Sequence, residues 1–593
     1  MRVSVGAITA RLRIQGLTRR PLLLGGPLLA TTLLMCAVAL SLNLPDPDLW
    51  GHVQYGRDAL REGLPATATY TYTAEGYPWI NHENLAELLM AWGMDAIGPA
   101  GMLATKTVLG LAVVGLILWH AYRRGVAMVG MCVIALLVAA NMAPCWSMRP
   151  QLLTCVCYAL LLALLSWCFA GWEGGSPPLR PRCPAPGEPG SPGTFSSRRL
   201  RYLWLAPVLF AVWANSHGGF VAGWCIYAAY LAGRSIEALA YRGRAGMGLV
   251  QRFAMMIAVA GLATLFNPYG PELHRFLWED LRVPRPEILE WRPPEIASVD
   301  MLPFGLLSLS GFFALLLTRE KRDVTQVAIL LLALWQSLLH QRHIPFLAIA
   351  FGFWMPVHVD SVLRRFHMVR GGARFGPENS PVVAVAFAVA MVLACGLLGV
   401  RLVGRFQGMP VERDQYPVAA FQYMADQDLH GKMVVTFNWA QYALAAFGPL
   451  RPDGRRILIS FDGRYRTCFP QHVCDMNFDF VLGADEPRYR DPRSPFDEGL
   501  ALEYGRPDLV LINRYQPHSV QVMNRRRDRW TLLYQDKMAQ LWGRATRYGD
   551  PGSEDYIPPS RRRISDEEQK GSLPWPALPL RQPATRRLQG EAA

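Results

Sequence analysis

The stretch PLLLGGPLLATTLLMCAVALSLNLPDPDLWGH (21–52) decides the fold class. Its first part is an apolar run long enough to cross the hydrocarbon layer as a helix, for which about 20 residues are needed. It then turns abruptly polar, delivering Asp46, Asp48 and His52 to one membrane face. Ionisable groups at that depth are costly and are functional candidates by default. A cleaved signal peptide is the competing reading of residues 1–44, but no small-residue cleavage site precedes DPDLW.

Working outward, comparable runs recur at 102–120, 126–142, 151–170, 202–215, 219–239, 250–266, 302–318, 324–340, 344–358 and 381–401. With 22–44 they make about eleven spans. Residues 85–97 look helical but too short to cross, which predicts a re-entrant or interfacial segment. The chain is 51 % hydrophobic and only 18 % charged, against the pattern of a soluble protein of 593 residues. The expected fold is therefore mostly α, a polytopic transmembrane helical bundle over 1–401 followed by a C-terminal extracytoplasmic α/β domain.

A net charge of +14 would suit nucleic acid, but its placement points elsewhere. The basic residues gather in alternate loops: Arg11, Arg13, Arg19 and Arg20; Arg123 and Arg124; 180–201; 234–252; Arg319, Lys321 and Arg322; Arg364, Arg365 and Arg370. With the N-terminus cytoplasmic, all of them fall inside in an eleven-span topology, satisfying the positive-inside rule and leaving the C-terminal domain outside. Membrane lipids are then partners and nucleic acid is not. In a bacterium the expected location is the inner (cytoplasmic) membrane.

Residues 172–201, rich in Pro, Gly and Arg, read as a flexible cytoplasmic loop. Beyond 401, KMVVTFN (432–438), RRILISFDG (455–463) and PDLVLINR (507–514) read as strands, PVAAFQYMADQD (417–428) as a helix and WTLLYQDKMAQLWGR (530–544) as a hairpin. Strands alternating with helices predict an α/β domain over 402–545. The tail 546–593 lacks an apolar period and is expected to be disordered. Of the eleven cysteines, Cys468 and Cys474 lie in the outside domain, where a disulfide between them is open.

The first outside loop, 45–84, carries Asp46, Asp48, His52, Arg57, His82 and Glu83. Pro47 suits the first turn of a helix capped by Asp46 and ended by Gly63 and Pro65. Asp48 and His52, four residues apart, would share one face of that helix. Such a pair can share a proton, bind a divalent cation or orient a phosphate-bearing substrate. Later outside turns bring Arg149, Asn215 and His217, Asn267, Glu290, and Arg342. Arg149 and Arg342, at the outer ends of spans, can snorkel or clamp a lipid phosphate. Together these loops predict a polar crevice at one face.

This arrangement resembles the GT-C superfamily of membrane glycosyltransferases, which includes protein O-mannosyltransferases and aminoarabinose transferases. Its hallmark is an acidic residue in the first extracytoplasmic loop, then an amphipathic helix and a Gly-x-Pro-like break, matched by DPDLWGHVQYGRDALREGLP (46–65). The chain is more similar still to a group of bacterial GT-C-like proteins with an Asp-x-Asp-x-Trp-x-His opening (46–52), a Pro-Trp…His-Glu element (78–83), Trp-Ala-Asn-x-His-Gly-Gly (213–219), Asn-Pro-Tyr-Gly (267–270), Glu-Trp (290–291) and Asp462-Gly463-Arg464. The likeness covers most of 40–545. The loop reads DPD where many GT-C enzymes carry adjacent acids, and Asn84 stands where a second Trp is expected.

The resemblance implies an inverting glycosyltransferase that takes sugar from a polyprenyl-phosphate donor and gives it to a glycan, lipid or protein acceptor. Asp48, with Asp46 close behind, would be the general base. His52, His82, Glu83, Arg149, Asn215, His217, Glu290 and Arg342 would bind substrates. No cofactor is assigned; a divalent cation stays open. The alternatives are a non-catalytic GT-C-like scaffold or glycan-binding protein, and a transporter or lipid flippase. Asp462-Gly463-Arg464 is expected to be a plain strand-ending turn.

Overall fold

The computed structural model describes residues 19–172, 195–366 and 381–580. Most of the loop expected to be flexible, with the basic residues Arg11, Arg13 and Arg370, lies outside those residues. The chain divides into two compact units. One, helical, comprises Met1–Leu42, Leu103–Gly270 and Leu289–Gln407; the other, mixed, comprises Asn43–Met102, Pro271–Ile288 and Gly408–Ala593. The first loop is thus part of the same unit as the C-terminal region, rather than of a helical domain running unbroken over 1–401.

Among the described residues six helices are long and apolar enough to cross a membrane, or seven if the bent pair Gln341–Trp354 and Pro356–Arg365 is one span. By that criterion the expected count of about eleven is not confirmed, because several apolar runs are not single long helices. Residues 202–215 contribute only the ten-residue helix Leu205–Ala214, entered through a 3-10 stretch, Ser197–Trp204. Val324–Leu339 has 16 residues, started by Asp323, whose carboxylate caps Gln326 N at 3.0 Å. Two expected spans share the continuous stretch Phe220–Ala263, as helices Phe220–Arg242 and Met247–Ala263 packed on one another. Helix Asn84–Arg123 is broken at Gly98, whose φ of 69° precedes Pro99. Residues 85–97 form its first arm.

Charge is not excluded from the helical unit. Arg234, 1 % exposed, is held by Asp323 Oδ2 (2.6 Å), Glu237 Oε2 (2.9 Å) and the Tyr230 hydroxyl (2.7 Å). Its Nε has no hydrogen-bond partner among the described residues, but both Nη atoms are paired, and a buried ion so paired is tolerated where an unpaired one is not.

The mixed unit is built on a six-stranded sheet. In chain order the strands of the unit are β1 (Pro410–Glu412), β2 (Gly431–Val435), β3 (Ile457–Ile459), β4 (Leu509–Asn513), β5 (Trp530–Gln535), β6 (Ala539–Arg544), β7 (Arg563–Ile564) and β8 (Ser572–Pro574). The sheet runs β3-β2-β4-β6-β5-β7, parallel from β3 to β4 and antiparallel across β4-β6-β5. The short, β-branched runs of the sequence supply the buried central strands. The helix Phe437–Phe447 connects β2 to β3, the crossover that parallel strands require.

Two parts of the chain complete this sheet from outside the expected domain. First-loop residues 70–73 lie along the edge of β3: Ile459 N donates to Tyr70 O at 2.9 Å, and Thr71 is bridged in parallel to Ile459. Residues 546–580, expected to be disordered, are folded. β7 pairs with β5, β8 pairs antiparallel with β1, and Trp575 is 8 % exposed. Trp50, in the first-loop helix, donates its indole N–H to Pro576 O at 2.8 Å and lies 6.2 Å from the Trp575 ring. Residues 581–593 lie outside the described ones. Cys468 and Cys474 are buried free thiols, and burial pushes Cys468 up to about 12.

Candidate functional site

The first-loop helix runs from Leu49 to Glu62, with Asp48 rather than Asp46 at its N-cap. Asp46 instead accepts from Asp48 N through its Oδ1 at 3.0 Å, and its carbonyl accepts from Leu49 N, the local turn that Asx side chains favour. Asp48 makes no side-chain capping bond. Its carboxylate lies instead against Gly463, where a β-carbon would overlap Asp48 Oδ1 and come within 2.9 Å of Gln441 Nε2.

Gln441 sits on the helix Phe437–Phe447 and is 2 % exposed. Its Oε1 accepts from the Tyr55 hydroxyl at 3.1 Å, which leaves the amide N–H2 on the Gly463 side. Burial pushes the Tyr55 hydroxyl well above its usual range, so it donates. Gly51, one turn before Tyr55, is bare for the same reason as Gly463: a β-carbon there would collide with Gln441 Oε1. The first-loop helix thus meets the crossover helix and the 462–464 turn at van der Waals distance.

That turn is more than a strand ending. Asp462 is fully buried and Arg464 nearly so, and they pair at 2.7 Å. The guanidinium also donates to Thr69 O at 2.6 Å and lies 4.6 Å over the Tyr55 ring and 4.8 Å over the Trp79 ring. Burial opposes its charge, but Asp462 outweighs that and holds the arginine protonated. One side chain therefore ties 462–464 to three points of the first loop.

On the other side of the first-loop helix His52 meets two carboxylates. Its Nδ1 is 3.0 Å from Glu87 Oε1 and 3.9 Å from Glu83 Oε2. Burial disfavours its charge, but the Glu87 hydrogen bond and the carboxylates of Glu83, Glu87 and Asp48 push its pKa up to about 9. Asn81 donates to Glu87 Oε2 at 2.6 Å and accepts from Glu83 N at 3.0 Å. His82 Nε2 lies 3.8 Å from Glu83 Oε1. Among the described residues, His52, Glu83 and Glu87 alone bring three ligand atoms within 4.8 Å of one another, a set that fits a divalent cation.

In the helical unit Arg149 Nη1 donates to Glu290 Oε1 at 2.7 Å. The turn Leu289–Trp291 packs on the turn Gln341–His343, with the Arg342 guanidinium 4.4 Å from the Trp291 ring. His340 Nδ1 meets Trp291 O at 2.6 Å. The structure thus brings Arg149, Glu290 and Arg342 together. Asn215 and His217 serve other needs: Asn215 donates to Phe266 O at 2.7 Å, and His217 Nδ1 accepts from Gly219 N and shares a hydrogen bond with Thr154, both at 2.9 Å. Those contacts tie down the turn between two helices.

No family model matches the chain, and no curated protein matches it. Among solved structures it is similar to the archaeal oligosaccharyltransferase AglB from Archaeoglobus fulgidus, in complex with an inhibitory peptide and a dolichol-phosphate. There the identity is 12 %, the TM-score 0.49, and the match covers 82 % of this chain and 69 % of that one. It is also similar to ArnT from Cupriavidus metallidurans bound to undecaprenyl phosphate, at 12 % identity and a TM-score of 0.47, covering 90 % of this chain and 98 % of that one. Both are membrane glycosyltransferases of the GT-C superfamily.

Glu87, Gln441 and Tyr55 were not singled out by sequence. Glu87 carries a signal in retrospect, as the one acid inside LAELLMAWG (85–93). Gln441 carries none, since its partner Tyr55 is 386 residues away.

Proposed function

We propose that the chain is a membrane glycosyltransferase that moves a sugar from a polyprenyl-phosphate donor to an extracytoplasmic acceptor hydroxyl, with Asp48 as general base. The observation that carries this reading is the setting of Asp48. At the helix N-cap its carboxylate is turned away from the capping position, toward Gly463 and the buried Gln441 amide. It is also fixed: Gly463 gives it room, and Gln441 and the Asp462–Arg464 pair hold the surrounding backbone. The order of motifs along the sequence supports the same reading.

In the reaction, the acceptor oxygen attacks the anomeric carbon while its proton passes to Asp48. The bond from that carbon to the phosphate oxygen breaks, and the electron pair leaves with the lipid phosphate. Attack from the face opposite the phosphate, in one displacement, inverts the anomeric centre. A base matched to the acceptor contributes about 10²–10⁴-fold. Within the helical unit, Arg149 and Arg342, gathered near Glu290, suit the binding of a lipid phosphate. In this reading the N-terminus is cytoplasmic, the mixed unit is extracytoplasmic and the membrane is the bacterial inner membrane.

The test is sugar release from a labelled polyprenyl-phosphate donor pool, with folded protein in native lipid. Wild type consumes donor, Asp48→Asn loses at least about 100-fold, and Asp46→Asn loses less because Asp46 is engaged in the turn. No turnover by wild type across a broad donor panel, or an Asp48→Asn rate equal to wild type, would sink the proposal.

A further inference from the structure

We propose that His52, Glu83 and Glu87 bind one first-row divalent cation, of which Zn2+ and Mn2+ suit the one-nitrogen, two-carboxylate set. The inference stands on this cluster's geometry and does not depend on sugar transfer.

Glu83 and Glu87 are one helical turn apart, with Glu87 N donating to Glu83 O at 3.0 Å, so both carboxylates leave the same face. His52 reaches them from the first-loop helix. Two donors each about 2.1 Å from one cation lie roughly 3.0–4.2 Å apart at angles of 90° or more. The His52–Glu87 and His52–Glu83 separations, 3.0 and 3.9 Å, both lie in that range. All three ligand atoms sit within 4.8 Å of one another, so a small carboxylate rotation closes the third edge.

The surroundings are those of a supported site. His52 is 8 % and Glu87 3 % exposed, while the Glu83 side chain at 21 % leaves an approach for the ion. Asn81 holds the Glu87 oxygen that faces away from His52 and anchors the Glu83 backbone, the outer-shell orientation that metal ligands usually have. The buried Glu87 and half-buried Glu83 carboxylates with one divalent cation also leave no net charge, where burying an unbalanced charge is costly. Bound, the ion would fasten the 78–84 loop and the arm that starts at Asn84 to the first-loop helix.

The full chain, purified in detergent, stripped with a chelator, reloaded separately with Zn2+ or Mn2+ and freed of excess, is assayed by elemental analysis. Wild type is expected to retain about one equivalent, and Glu83→Gln and His52→Asn to bind at least about tenfold more weakly. Asp95→Asn, an exposed carboxylate on the same helix paired with Arg57, retains it. Because His52→Asn alters a buried position, X-ray absorption on Zn2+-loaded wild type supplies a test that needs no variant: one imidazole and a remaining oxygen shell are expected. Folded wild type that holds no ion, a shell without nitrogen, or unaltered binding by Glu83→Gln would overturn the site. None of these readouts involves sugar transfer, so this proposal and the glycosyltransferase reading can fail separately.

Discussion

The carboxylate of Asp48 rests on Gly463, at the only kind of residue that leaves it room. A β-carbon at 463 would overlap Asp48 Oδ1 and crowd Gln441 Nε2 to 2.9 Å. Gly463→Ala must therefore push either the base or the turn aside. Overpacking of this kind costs about 1–3 kcal/mol. We expect a modest fall in the thermal midpoint of the purified chain and a fall in donor turnover of at least about tenfold, equivalent to roughly 1.4 kcal/mol in the barrier. A Gly463→Ala chain that turns over donor at the wild-type rate would show that Asp48 does not act from this position.

The Asp462–Arg464 pair allows a sharper measurement of stability. Arg464→Met leaves the fully buried Asp462 carboxylate unpaired and removes the tie to Thr69 O. Breaking a buried pair by deleting one partner costs about 3–5 kcal/mol. Asp462→Asn combined with Arg464→Met removes the stranded charge and is expected to recover part of that loss. Denaturant unfolding of the single and double variants gives the coupling energy. Strictly additive losses would mean that the two residues contribute independently of their contact.

Residues 572–580 offer a test of what the C-terminal stretch does. Deleting 572–593 removes β8 from β1, the Pro576 carbonyl from the Trp50 indole, and the Ala577 carbonyl from the Tyr442 hydroxyl. Trp50 is 1 % exposed in the intact chain. The truncated chain is expected to show red-shifted tryptophan emission and increased quenching by acrylamide. Substituting Trp50 in the truncated background should cancel the added emission shift, which assigns it among the tryptophans that remain once Trp575 is deleted. Unchanged emission would mean that the segment can leave without opening the first-loop helix.

How much of this could be read from residues alone depends on how local each feature is. The strands at 431–435 and 509–513 and the hairpin at 530–544 declare themselves through β-branched runs bounded by Gly, Pro or Asp. The first-loop helix does so through its Pro and Gly ends, though its N-cap falls at Asp48 because Asp46 turns back on Asp48 N instead of capping. Contacts between distant segments leave no such mark. The tail resembles a disordered one in composition, and only long-range pairings, Arg563–Ile564 with β5 and Ser572–Pro574 with Pro410–Glu412, show otherwise. Glu87 hides in an apolar run, and Gln441 looks like any polar residue on an amphipathic helix. The helix count differs for a related reason: hydropathy registers apolar length, not where a helix starts, and runs 202–215 and 324–340 form helices of only 10 and 16 residues.

The cluster at Arg149, Glu290 and Arg342 separates lipid-phosphate binding from mere packing, because its members should act in opposite directions. Glu290 now occupies Arg149, at 2.7 Å, and adds a negative charge where a phosphate would bring more. Arg342 lies over Trp291, so an anion bound there should alter that indole's emission. A hydrogen bond to a charged group is worth about 1.5–3 kcal/mol, so Arg149→Ala and Arg342→Ala should each weaken polyprenyl-phosphate binding at least about tenfold. Glu290→Gln, which keeps the shape but removes the competing charge, should tighten it. The measurement is a fluorescence titration of the purified chain with polyprenyl phosphate, with the uncharged polyprenol as control. Were Glu290→Gln to weaken binding as much as Arg149→Ala does, the pair would be holding the Leu289–Trp291 turn in place, and the phosphate would have to be sought elsewhere.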